Sequence, residues 1–188
     1  MHTPNLTPQQ RETLLDIARR SIQHGLDQGS ALRIQAADFE PPLNRVRASF
    51  VTLHHKDMLR GCIGHLEATL PLVEDVAENA FSAAFRDPRF PPLTAGEYPG
   101  LELHISALTP AEPLAFKSED ELLQRIRPFE DGLILVEGVR QGTFLPSVWE
   151  QLPDPRDFLR HLKLKAGLAE DYWSPSIKIY RYETESFS

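Results

Sequence analysis

Val46-Arg47-Ala48-Ser49-Phe50-Val51-Thr52-Leu53-His54, then His55-Lys56-Asp57, then Met58-Leu59-Arg60-Gly61-Cys62-Ile63 reads as a β-hairpin. β-Branched and apolar residues run along both arms, and a short polar link joins them. A link that short makes the two strands antiparallel. Gly61 and Gly64 flank the end of the second arm. Glycine in or beside a strand marks a bulge, a sharp bend or the close approach of another backbone or ligand. Cys62, the only cysteine of the chain, stands between them, two residues from Arg60.

Four helices are predicted around this hairpin. The first opens at Thr7-Pro8-Gln9-Gln10, with a capping hydroxyl, a proline at the first helical position and a glutamine at the capping-box position. Leu14, Ile17, Ala18 and Ile22 share its apolar face, and Gly25 or Gly29 ends it. The second follows Pro71 and carries a broad, alanine-rich stripe from Leu72 to Ala84. The third starts at Ser118, with Glu121 as capping-box partner, and stops before Pro128. The fourth starts at Asp154-Pro155, buries Phe158, Leu159 and Leu162, and ends at Gly167.

Further strands lie between the helices. Leu101 to Leu108 alternates, which turns Leu101, Leu103, Ile105 and Ala107 to a core. Gly132 to Glu137 is a short apolar run expected to be buried on both faces. Ser176 to Tyr182 alternates again, and Thr143 to Leu145 adds a short strand. There is no regular βαβ rhythm and no G-x-G-x-x-G opening a helix. The expected class is therefore α+β, a mainly antiparallel sheet with packed helices. Prolines punctuate element boundaries, and no stretch is long enough for a flexible linker, so any two subdomains are closely joined.

Composition narrows the function. Hydrophobic residues are 41% and charged residues 25% of the 188, as in an ordinary globular protein. One cysteine makes no internal disulfide and no zinc knuckle, which fits a reducing compartment. With no secretory leader and no long apolar span, the expected location is cytoplasmic. A net charge of −7 argues against nucleic acid as main partner. The one dense basic stretch, Arg156 to Lys165, reads as a solvated helix face.

The candidate chemistry centres on Cys62. A reactive thiol needs a cation, a histidine or a helix N-terminus nearby. Arg60 shares its face on a regular strand; His65 reaches it only if the glycines bend the chain, and His54 and His55 lie across the hairpin. The other reading is a small buried apolar residue. Asp87-Pro88-Arg89-Phe90-Pro91-Pro92 holds two opposite charges in a rigid corner after the second helix. An aspartate at a helix C-terminus opposes the dipole, so Asp87 is expected to have a specific partner. Glu74, Asp75 and Glu78 read as a solvated acidic face. Cys62-x-x-His65 supplies only two ligands, so no metal and no cofactor are expected.

In order along nearly the whole chain come Phe50 to Leu53, Leu59-Arg60-Gly61-Cys62-Ile63-Gly64, Ala80 to Phe85 running into Asp87 to Leu93, and Glu97. Gly132-Leu133, Leu145-Pro146, and Lys165-Ala166-Gly167-Leu168 with Trp173 follow. This series resembles the AMMECR family, whose prokaryotic form is the AmmeMemoRadiSam system protein A; L-R-G-C-I-G is its signature. The resemblance covers residues 1–188 as one AMMECR-type domain. It implies two interleaved subdomains, a larger and a smaller, with the signature near a cleft between them. It implies Memo-like and radical-SAM proteins as partners, and it supplies no reaction. Cys62 is the candidate catalytic residue on these grounds, and Arg60, Gly61, Gly64, Asp87, Arg89 and Phe90 are the candidate binding residues. The expectation is an enzyme or enzyme component using Cys62, against a protein- or peptide-binding module in which Cys62 is structural. The turn His55-Lys56-Asp57-Met58 lacks the glycine often found there in the family.

Overall fold

The computed structural model describes residues 5–188. They form an α+β fold with two separate four-stranded sheets, each with its own core. The chain divides into two compact units, one running through Leu108 and including Glu185–Ser188, the other Thr109–Thr184. The second is thus an insertion in the sequence of the first.

In the first unit, strands β1 (Ser49–His55), β2 (Met58–Gly64), β3 (Leu101–Leu108) and β8 (Thr184–Phe187) lie in the order β2-β1-β3-β8. β1 runs antiparallel to both β2 and β3. Helices α1 (Pro8–Gln28) and α2 (Leu72–Phe85) pack on one another and on this sheet. Val51, Leu53, Leu103, Ile105 and Ala107 meet Leu14, Ile17, Leu72, Val76 and Ala80 in one apolar core. Each fully buried valine, leucine or isoleucine among them contributes about 2 kcal/mol by leaving water.

The helix signals act as read. The Thr7 hydroxyl accepts from the amide of Gln10 while the Gln10 side chain accepts from that of Thr7, and Gly29 closes the helix at φ 73°. The hairpin turn holds Lys56 at φ 53° and Asp57 at φ 61°. Both central residues are left-handed, as the commonest tight hairpin turn demands, but without glycine. β1 starts at Ser49 rather than Val46, because Val46 pairs with Pro71 in an isolated bridge.

The second unit holds β4 (Glu112–Leu114), β5 (Gly132–Glu137), β6 (Arg140–Phe144) and β7 (Lys178–Tyr182), in the order β4-β7-β5-β6. Helices α3 (Glu119–Arg125) and α4 (Pro155–Lys165) complete it. Its core centres on Trp149, stacked on Phe158 with ring centroids 3.8 Å apart, and the indole N–H donates to the Asp131 carbonyl at 2.8 Å. β5 is not buried on both faces: Leu133 and Leu135 are fully buried, while Ile134 and Val136 are half-buried. Ser118 caps α3 by accepting from the amide of Glu121, but the Glu121 carboxylate turns to the amide of Lys117 instead of closing the box on Ser118.

The basic stretch on α4 is only partly a solvated face. Lys163 is buried and donates to Glu119 at 3.0 Å, and Arg156 and Arg160 pair with Asp120 and Glu170. Three of the cations in this stretch thus have acidic partners. Among the described residues, no helix is long and apolar enough to cross a membrane.

Candidate functional site

The site grows from an irregularity in β2. Cys62 stands opposite Thr52, and Gly61 opposite Leu53, but His54 pairs with Leu59, so Arg60 is an extra residue without a partner on β1. This is a β-bulge, which breaks alternation and re-aims the side chain at that position. Arg60 is therefore not simply a face neighbour of Cys62. Its guanidinium, nine-tenths buried, forks onto Glu97, with Nε donating at 2.8 Å and Nη2 at 3.2 Å. That fork holds the Glu97 carboxyl down to about 2, and the amide of Thr94 adds to the effect.

Gly61 is a glycine because α2 crosses directly over it. A Cβ there would sit 2.0 Å from the carbonyl oxygen of Ala83. Gly64 is crowded in the same way, by the backbone of Ser49 and the ring of Phe50. Both glycines thus accommodate the chain's own backbone.

Because β2 is an edge strand, its outward main-chain groups have no neighbouring strand. At Cys62 the corner after α2 supplies the missing partners. The amide of Cys62 donates to Asp87 Oδ2 at 2.9 Å, and Arg89 Nη2 donates to the Cys62 carbonyl at 3.4 Å. Arg89 also clamps Asp87 with Nε on Oδ1 at 3.0 Å and Nη2 on Oδ2 at 2.7 Å. The clamp keeps the Asp87 carboxyl well below the usual carboxylate range and raises the Arg89 guanidinium above its own. Asp87 therefore has the specific partners its position at a helix end calls for. The Phe90 ring lies 5.9 Å from the Arg60 guanidinium and 5.5 Å from that of Arg89.

The thiol of Cys62 is free and half-buried. Its Sγ lies 3.2 Å from the Thr52 hydroxyl, and either can donate. Thr52 in turn stands opposite His104 on β3, whose ring makes an edge-on contact with His54 at 5.2 Å. A thiol, a hydroxyl and an imidazole thus form one row across three strands. Two strand spacings separate Cys62 from His104, about 10 Å between backbones, too far for a direct proton transfer.

His65 does not join the thiol. Its Nε2 lies 2.9 Å from Asp75 Oδ1, and Asp75 is fully buried. The acidic-face reading of α2 is corrected here: Asp75 also accepts from Ser49 Oγ at 2.6 Å and Asn79 Nδ2 at 2.9 Å. Burial pushes its carboxyl up from the ordinary aspartate value, against the pull of Ser49 and His65. The signal for this was the Asp75–Asn79 pair, four residues apart within an apolar stripe. Glu97 and Thr52 stand in the series that carries the family resemblance, but no local spacing ties them to Arg60 and Cys62; tertiary packing alone brings them there. Among the described residues, no group of three or more His, Cys, Asp or Glu side chains is arranged to hold a metal ion.

With this geometry in hand, comparison with known proteins defines the class. The chain belongs to the AMMECR1 family, whose model matches residues 15–187. It is 38% identical over 184 residues to a protein of Methanothermobacter thermautotrophicus, covering 97% of this chain and 95% of the relative. It is 41% identical over 159 residues to the Methanocaldococcus jannaschii protein MJ0810, covering 82% and 79% of the two chains. The crystal structure of the uncharacterized protein PH0010 from Pyrococcus horikoshii superposes with a TM-score of 0.80 at 35% identity, covering 93% of this chain and 89% of that one.

Proposed function

We propose that this chain is a cytoplasmic enzyme, or the thiol-bearing component of one, working with Memo-like and radical-SAM proteins on a small molecule or a protein modification. Cys62 is the reacting group. The observation that carries this reading is the setting of the thiol. It is free, half-buried rather than packed away, and beside the Thr52 hydroxyl, on a main chain held from outside by Asp87 and Arg89. Pre-positioning of that kind is what a reacting group requires. The Arg89 side chain is 55% exposed, so it can hold an anionic substrate group while it clamps Asp87.

Paired alkylating agents test the reading. Native protein should react with neutral iodoacetamide at neutral pH at a rate approaching that of the unfolded chain. Arg89→Gln should slow the anionic iodoacetate more than iodoacetamide. Labelling that appears only on unfolding overturns the reading.

A specific observation favours a second reading, a protein- or peptide-binding module with a structural Cys62. Among the described residues, Thr52 is the only side chain within hydrogen-bond reach of Sγ, and no imidazole is placed as its base. In that case Cys62→Ser leaves the system's phenotype intact, while substitutions at Arg89 and Phe90 abolish partner capture.

A further inference from the structure

Pro128-Phe129-Glu130 forms a surface tip of the second unit that plays no part in the thiol site. Phe129 stands at φ 66°. That left-handed backbone suits glycine, and a bulky residue held there is strained. The phenyl ring nevertheless stays on the outside, the residue being 61% exposed, with its centroid 6.4 Å from that of the buried Trp149. The loop that imposes this conformation is clamped at its base. Arg127 donates to Asp131 Oδ1 from Nε at 3.0 Å and from Nη2 at 2.6 Å, and its amide donates to Oδ2 at 2.9 Å. The amide of Asp131, a fully buried residue, donates back to the Arg127 carbonyl at 3.0 Å. Strain of this kind persists only where the surroundings over-determine it, and it clusters at sites that bind. An apolar ring already fixed in place also loses little freedom when a partner covers it.

The same unit holds a hollow of matching kind. Pro113, Leu114, Phe116, Pro175 and Tyr180 line about 220 Å³ at the β4–β7 edge of the second sheet. That is below the roughly 300 Å³ at which small-molecule pockets begin, and it suits a single aromatic ring. Lys178 stands exposed on its wall and pairs with no carboxylate among the described residues. At the tip, three carboxylates, Glu130, Asp131 and Glu183, meet two cations, Arg127 and Arg181. Glu130 is the most exposed of the five. The tip is thus acidic where the hollow is basic.

Tip and hollow lie toward opposite ends of β7. Gly132, just after the tip, pairs with Tyr182, while Leu114 in the hollow pairs with Ile179, next to Lys178. Two copies with these strands antiparallel make both contacts at once, which closes the assembly at two. We propose that the chain pairs with a second copy of itself in this way, each Phe129 seated in the other copy's hollow and each Glu130 against the other copy's Lys178. A contact this small makes a transient dimer rather than an obligate one. It uses no residue of the thiol site and does not depend on the reading given for Cys62.

Sedimentation of the full chain from micromolar to millimolar concentration is the test. The expected result is a reversible monomer–dimer equilibrium. Phe129→Gly should weaken it at least tenfold, yet leave the Tm of dilute, monomeric protein unchanged or raised, since glycine takes φ 66° without strain. A packing role for Phe129 predicts the reverse, a lower Tm with association unchanged. Lys178→Glu should weaken association at least tenfold, and adding Glu130→Lys should restore the dimer by exchanging the charges. Both side chains are exposed, so these variants keep the fold. If Phe129→Gly does not fold, the charge exchange decides alone. A chain that stays monomeric at millimolar concentration overturns the proposal. So does association unaltered by Phe129→Gly, or a double variant no tighter than Lys178→Glu alone.

Discussion

Asp87 takes the place of a missing strand beside Cys62. Its Oδ2 accepts the Cys62 amide at 2.9 Å, twenty-five residues back in the chain, and Arg89 holds it there. The edge of β2 is thereby closed by side chains at the residue that carries the thiol. Asp87→Ala should cost about 2 kcal/mol, because a main-chain donor loses its acceptor. Urea unfolding gives the cost, and hydrogen exchange at the Cys62 amide locates it. Unchanged exchange at that amide would sink the edge-closure account.

The Arg60–Glu97 pair makes stability depend on acid. Glu97 is held at about 2, below the ordinary 4.5 of a glutamate. Its contribution is thus complete above 4.5 and is lost as pH falls through about 2. Glu97→Gln leaves a nine-tenths buried guanidinium without its counter-charge and should cost about 3 kcal/mol at neutral pH. Measured across an acid series, the gap between variant and parent should close toward pH 2. A gap constant with pH contradicts the assignment.

Gly61→Ala should be among the most damaging single methyl additions in the first unit. The new Cβ would overlap the Ala83 carbonyl at 2.0 Å, and neither group is a flexible side-chain end. Overpacking against a helix backbone costs about 3 kcal/mol. Thermal unfolding reads it directly, and a Tm unchanged within error would show that α2 can shift away.

The hairpin turn can be improved. Lys56 and Asp57 occupy left-handed backbone at φ 53° and 61°. Lys56→Asn with Asp57→Gly matches the preferred residues for that turn and should add about 1 kcal/mol. A loss of stability would mean that the present side chains make contacts beyond the turn.

Legibility followed interaction range. The caps of α1 and α4 were readable because each joins residues two or three apart, as Thr7 with Gln10 and Asp154 with Arg156 and Asp157. The hairpin was readable because one short link joins two strand-like runs. Asp75 was misread as solvated because a carboxylate inside a helix face declares nothing about Ser49 and His65, which only folding brings to it.

The sequence by itself determined the hairpin, the four helices and the α+β class, since periodicity and capping are local properties of the chain. Tertiary structure alone decided that Arg60 is a bulge residue paired with Glu97, thirty-seven positions away, that His65 belongs to Asp75 rather than to the thiol, and that Thr52 is the neighbour of Cys62. A buried charge or an edge amide takes whichever partner packing brings within 3 Å, and that choice is made by the whole core rather than by the residues next in line.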